Sequence, residues 1–162
     1  MMLDQKPDVL LLGGSGTLTL ATPALVRKYA LPTIKTITRM CKEAGIPSML
    51  HSCGRSMAFL EMLYNETDLD CINPLEEPPM GDVDLAEVKR LYGNKVALCG
   101  NVHCAAMQTG TPEQVVASAE YCLTHAKPGG GYIFATSNIP FKGLPLNRYL
   151  LVLDVWKRMR DY

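Results

Sequence analysis

The sequence has no surplus of either charge: 16 Lys and Arg stand against 16 Asp and Glu in 162 residues. Nucleic acids and anionic membranes are met through a basic field, and this balance offers none. No apolar run approaches the roughly 18–20 residues of a membrane span. The first residues carry Asp4, Lys6 and Asp8, which is the wrong chemistry for a secretory signal, and a cytoplasmic protein is expected. Six cysteines are present, but they are scattered through regular elements with no secretion signal beside them. Reduced thiols fit that pattern better than three disulfides. What the chain does have is a hydrophobic content of 48%, enough for a real core. At this length one domain, residues 1–162, is expected.

Short β-like runs alternate with longer helical runs, five times over. The runs are Val9 to Leu12, Ile46 to Leu50, Asp70 to Asn73, Lys95 to Cys99 and Tyr132 to Ala135. They end at Gly13-Gly14-Ser15-Gly16, His51-Ser52-Cys53-Gly54, Pro74, Gly100-Asn101 and Thr136-Ser137-Asn138. Apolarity is continuous rather than alternating, as in strands buried on both faces of a parallel sheet.

Helical punctuation is clear between them. Thr22-Pro23 reads as an N-cap and first helical residue, followed by a stripe of Leu25, Val26, Tyr29, Ile34, Ile37 and Cys41 that Pro32 should kink. Met57 to Tyr64 is a further short helix. Asp84 with Glu87 opens another, with Gly93 as its C′ stop. Thr111-Pro112 with Gln114 repeats the start signal, and Val115, Val116, Ala119, Cys122 and Leu123 form the core face. Pro145 opens the last helix, where Leu146, Tyr149, Leu150, Leu153 and Trp156 are spaced for burial. The alternation predicts an α/β fold of parallel βαβ units. A five-stranded doubly wound sheet and part of an eight-stranded barrel both satisfy it.

In such folds chemistry collects at the C-terminal ends of the strands. His51 and Cys53 stand two apart just past the second run, so an extended chain points both to one side. Imidazole and thiolate are good zinc ligands, and a catalytic zinc takes three protein ligands and keeps one position open. A packed strand-end histidine beside a small buried cysteine is the bland alternative. Third ligands are sought at the tip of the fourth run, among Cys99, His103 and Cys104, with the last two expected in a loop. Cys41, Cys71, Cys122 and His125 are expected to be structural. Gly13-Gly14-Ser15-Gly16 lacks the spacing of the known phosphate loops, and the next helix, at Thr22-Pro23, starts too late to point at it. It reads as a turn, and so does Lys127-Pro128-Gly129-Gly130-Gly131 at the opposite end. Glu76 and Glu77 follow the third run on the site end, where a solvated loop carboxylate is the common outcome and a ligand contact the functional one.

Several stretches together resemble the uroporphyrinogen decarboxylase superfamily, which includes zinc methyltransferases that demethylate corrinoid proteins. They are Leu31-Pro32, Gly45-Ile46-Pro47 leading to His51-Ser52-Cys53-Gly54, and Asp82-Val83-Asp84-Leu85 with Lys89. Cys99-Gly100-Asn101-Val102, Gly110-Thr111-Pro112-Glu113, Gly129-Gly130-Gly131-Tyr132-Ile133 and Pro145-Leu146-Asn147 complete the set. Their order matches the later part of that family. The resemblance implies a partial TIM barrel, about five of eight β/α units, whose open edges are covered by an oligomer or by a larger parent.

His51-x-Cys53 is similar to the methyltransferase branch. There the family's zinc, completed by a later cysteine, binds an acceptor thiol as thiolate for attack on a cobalt-bound methyl group. The matching later position here is Ser137, a poor zinc ligand, so Cys104 becomes the candidate third ligand beside His51 and Cys53. Asn101, Glu76, Ser137 and Asn138 are the implied substrate contacts. The decarboxylase branch, cofactor-free and acting on a tetrapyrrole held by arginines, is the alternative, though the segment carrying those residues has no counterpart here. A non-catalytic remnant acting through oligomerisation is the third.

Overall fold

A computed structural model describes residues 2–14, 17–138 and 142–161 of the chain. Its five strands are β1 (Leu10–Gly13), β2 (Ser48–Ser52), β3 (Cys71–Pro74), β4 (Ala97–Val102) and β5 (Tyr132–Thr136). They form one sheet in the order β1-β2-β3-β4-β5, with every neighbouring pair parallel. That order decides between the two architectures. A doubly wound sheet reverses direction at a switch point in mid-sheet. Here each crossover steps the same way, as in a (β/α) barrel, and the chain forms a partial TIM barrel of five parallel units.

The helices are α1 (Thr17–Leu20), α2 (Pro23–Leu25), α3 (Leu31–Ala44), α4 (Met57–Glu66), α5 (Leu85–Tyr92), α6 (Cys104–Thr109), α7 (Pro112–Ala126) and α8 (Leu146–Met159). Local chemistry sets their ends. The Thr22 hydroxyl accepts from the Leu25 N–H, and Asp84 accepts from the Glu87 N–H. Thr111 and Gln114 form a reciprocal capping box. Gly45, in the left-handed region at φ 70°, closes α3. Pro32 has no N–H to give its preceding turn, and one π-helical turn, Val26–Ala30, joins α2 to α3 ahead of it. No helix among the described residues is long and apolar enough to cross a membrane.

The core lies between the sheet and the helices. Leu50, Ile72 and Leu98 are fully buried and stand in register across β2, β3 and β4. Phe59, Leu60 and Leu63 from α4, Val88 from α5, and Val115, Ala119 and Leu123 from α7 join them. The other sheet face carries Met49, His51, Cys71, Asn73 and Cys99, the alternate positions of the same strands. Outside the core, Asp68 is bound by Arg39 at 2.7 Å and Lys42 at 2.6 Å, while Glu66 is bound by Arg27 and, at 3.4 Å, by Lys35. Those hydrogen bonds hold both carboxyls below their ordinary values, so the links stand at neutral pH and release as pH falls through the lowered values.

Four expectations are corrected. Every strand extends past its apolar run; β2 reaches Ser52 and includes His51, and β4 runs through Gly100 and Asn101 to Val102. Helix α1 starts at Thr17, directly after the Gly13-Gly14 turn; Ser15 and Gly16 lie outside the described residues. Gly93 is the C-cap of α5 in right-handed conformation, one position earlier than a C′ stop. The fourth correction concerns exposed helical faces. Helix α8 packs on α7 through Leu151, Val152, Val155 and Met159, which leaves Leu146 (72% exposed), Leu150 and Leu153 toward solvent. The helix has two apolar faces, and α7 is covered by the other one. Leu25 and Tyr29 are likewise exposed, because the buried stripe of that segment is Val26, Leu31, Ile34, Thr38 and Cys41.

Candidate functional site

The C-terminal strand ends gather the chemistry. His51 is the fourth residue of β2 and Cys53 the first beyond it, and the His51 Nε2 and Cys53 Sγ lie 2.9 Å apart. Both therefore face the same side. The other imidazole nitrogen, Nδ1, lies 3.1 Å from Asn73 Oδ1, the residue in register with His51 on β3. The Asn73 amide nitrogen points at Met49 Sδ, 3.6 Å away, so its oxygen is the group turned on the ring. The ring therefore turns Nδ1 to Asn73 and Nε2 to the thiol. Metal-ligating histidines are oriented in the same way, by an outer partner on the far nitrogen. Asn73 escaped the sequence analysis because its importance lies in strand register; its signal was a polar residue closing an apolar strand.

The turn that carries Cys53 is held by side chains. Gly54 sits at φ 76°, and a Cβ there would lie 2.0 Å from Thr19 Oγ1. The Gly54 N–H donates to Glu76 Oε2, the Arg55 N–H to Thr19 Oγ1 at 3.1 Å, and the Ser56 and Met57 N–H groups to Asp82 Oδ1 at 2.7 and 3.1 Å. Glu76 is not the solvated loop carboxylate expected of its position: it is 4% exposed. Its second oxygen accepts from Asn138 Nδ2 at 2.7 Å, so the loop after β3 ties the tip of β2 to the tip of β5.

The remaining candidates sort by what their atoms touch. Ser137 is buried, and its Oγ accepts from the Cys104 N–H at 3.1 Å. Cys104 and His103 are not in an open loop: Cys104 begins α6 and His103 caps it, accepting the Ala106 N–H on Nδ1 at 3.1 Å. The Cys104 thiol lies 3.4 Å from the Asn138 carbonyl oxygen, at the β5 tip. The structure thus brings His51 and Cys53 together and places Cys104 with Ser137 and Asn138 instead. Among the described residues, no group of three or more His, Cys, Asp or Glu side chains is placed to hold a metal ion. Asn101 is buried, its Nδ2 donates to the Leu75 carbonyl at 2.8 Å, and its Oδ1 accepts from the Cys122 thiol at 3.4 Å. Glu76, Glu77, His103, Cys104, Ser137 and Asn138 line a cavity of about 300 Å³ whose lining includes neither His51 nor Cys53. Burial raises the Glu77 carboxyl above its ordinary value, with His103, its Nε2 3.8 Å away, pulling the other way.

Thiol chemistry follows the same geography. Cys41, Cys71, Cys99 and Cys122 are buried, and burial pushes Cys71 up to about 12 and Cys122 up to about 11. Cys53 and Cys104 are half-buried at the mouth. A thiol reagent at neutral pH is expected to label Cys53 and Cys104 in the native protein within minutes and to spare the other four until unfolding. Peptide mapping by mass spectrometry reads this directly, and early labelling of Cys71 would contradict the burial described.

The family model of uroporphyrinogen decarboxylase (URO-D) matches residues 2–147. Among solved structures, a methyltransferase from Methanosarcina mazei is similar with a TM-score of 0.77 at 16% sequence identity. The match covers 99% of this chain and 44% of the methyltransferase chain, so this chain spans less than half the length of that protein. A search of curated protein sequences gives no match.

Proposed function

Because the chain belongs to the uroporphyrinogen decarboxylase family, we propose that it works in methyl transfer, from a corrinoid carried by a partner protein to a thiol acceptor, with zinc held by His51 and Cys53. The observation that supports this reading is the pair itself: an imidazole Nε2 and a cysteine Sγ 2.9 Å apart, with the imidazole fixed from behind by Asn73. Nitrogen and sulfur in this arrangement fit two of the three protein positions of a catalytic zinc. Neither Ser137 nor Cys104 stands with them as a third. When bound, the metal supplies the charge that removes the proton from a thiol ligand at neutral pH.

The residues of this chain then divide the work. Asn73 holds the orientation of the His51 ring. His51 Nε2 and Cys53 Sγ would hold the cation, the sulfur as thiolate. The cavity that Glu76 lines offers space for the body of an acceptor. Its lining favours the methyltransferase branch over a polycarboxylate tetrapyrrole, since Glu76 and Glu77 face it and, among the described residues, no Lys or Arg does.

Metal analysis tests the proposal. Protein saturated with zinc and then freed of excess is expected to retain close to one ion per chain. Cys53→Ser is expected to abolish retention, and Asn73→Ala to weaken affinity about 10–100-fold as an outer-layer partner does. Retention below about 0.2 zinc per chain, unchanged by Cys53→Ser, would remove the reading.

A further inference from the structure

We propose that Glu76 is a positioning residue for the His51–Cys53 pair, holding the Cys53 turn in place from the loop after the neighbouring strand β3; this rests on the metal reading above. Cys53 lies beyond the end of β2, so no strand ladder fixes it. The N–H groups of residues 54–57 are held instead by Thr19, Glu76 and Asp82 side chains. Of these three, Glu76 binds the residue next to Cys53, and it alone also reaches β5, through Asn138. Gly81 leaves the space for this: a Cβ there would lie 2.1 Å from the Glu76 carbonyl oxygen and 2.6 Å from that of Gly54. The loop after β3 and the turn after β2 therefore touch backbone to backbone.

The Glu76 side chain is almost wholly buried, and among the described residues its hydrogen bonds come from one backbone N–H and one amide, with no ion pair to Lys, Arg or His. Glu76 thus acts on the site through position, without being needed among the ligands.

An exchange of partners tests this. Asn138→Asp sets two carboxylates against each other. The double variant Glu76→Gln/Asn138→Asp restores one donor facing one acceptor, keeps the Gly54 contact and keeps the total charge. Two readouts are used: Co2+ affinity with its thiolate-to-cobalt absorption, and the 15N shifts of the His51 ring in metal-free protein. Asn138→Asp and Glu76→Ala are each expected to weaken Co2+ binding at least about tenfold and to move the His51 Nε2 resonance. The double variant should return both to near wild type, and its thermal unfolding midpoint shows that it is folded. Single variants that leave both readouts unchanged, or a folded double variant that restores neither, would overturn the role. Should wild-type protein take up no Co2+, the metal reading fails, while the His51 signature still decides whether Glu76 positions the pair.

Discussion

Gly81→Ala is expected to lower the unfolding free energy by about 3 kcal/mol and to weaken metal uptake with it. The new methyl would sit 2.1 Å from one carbonyl oxygen and 2.6 Å from another. Both belong to backbone, so no side-chain rotation relieves them, and the two loops must separate. Overpacking of this kind costs about 1–3 kcal/mol where side chains can give way, and more where they cannot. Separation also draws the Gly54 N–H from the Glu76 carboxylate and slackens the Cys53 turn. Stability and Co2+ affinity should therefore fall together, affinity by about tenfold. Gly14→Ala is the control: its Cβ meets nothing within 4 Å, and it should change neither. Denaturant unfolding gives the first quantity as a shifted midpoint at constant slope. A loss under about 1 kcal/mol would show the two loops are not locked together as described.

The alternation of apolar runs and helix caps was legible without coordinates because each signal is local. Thr22, Asp84 and Thr111 are read within four residues of themselves, and all three cap as expected. Strand ends were read too early for a physical reason. In this sheet His51, Gly100 and Asn101 continue the hydrogen bonding after hydropathy has stopped. The His51–Cys53 pair was legible for the same reason as the caps, since it lies within three residues. Glu76 was not, because its partners lie 22 and 62 residues away. Nor were the partners of Asn101: it sits at a strand tip, and its amide bonds Leu75 and Cys122, which only the packing of α7 against β4 reveals. The apolar spacing of α8 was real but doubled, and sequence periodicity does not tell which of two faces meets α7.

Phe59→Ala should separate the fold from the site. Phe59 is 1% exposed on α4, within the cluster that includes Leu60, Leu63, Ile72 and Leu98. Truncation removes the ring's transfer free energy and leaves a cavity, together about 3–5 kcal/mol. Domains of this size are stable by about 5–15 kcal/mol, so this one side chain carries a large share. The position matters as much as the size. Helix α4 begins at Met57, directly after the Cys53 turn, yet the turn is held by Thr19, Glu76 and Asp82 rather than by the aromatic ring. The folded fraction of Phe59→Ala is therefore expected to bind Co2+ within about twofold of wild type while its unfolding midpoint drops sharply. Tyr29→Ala, at an exposed ring, should stay within about 0.5 kcal/mol. If Phe59→Ala instead loses metal affinity in proportion to stability, the turn takes its shape from the α4 core rather than from the carboxylates, and the division between scaffold and site drawn from these hydrogen bonds fails.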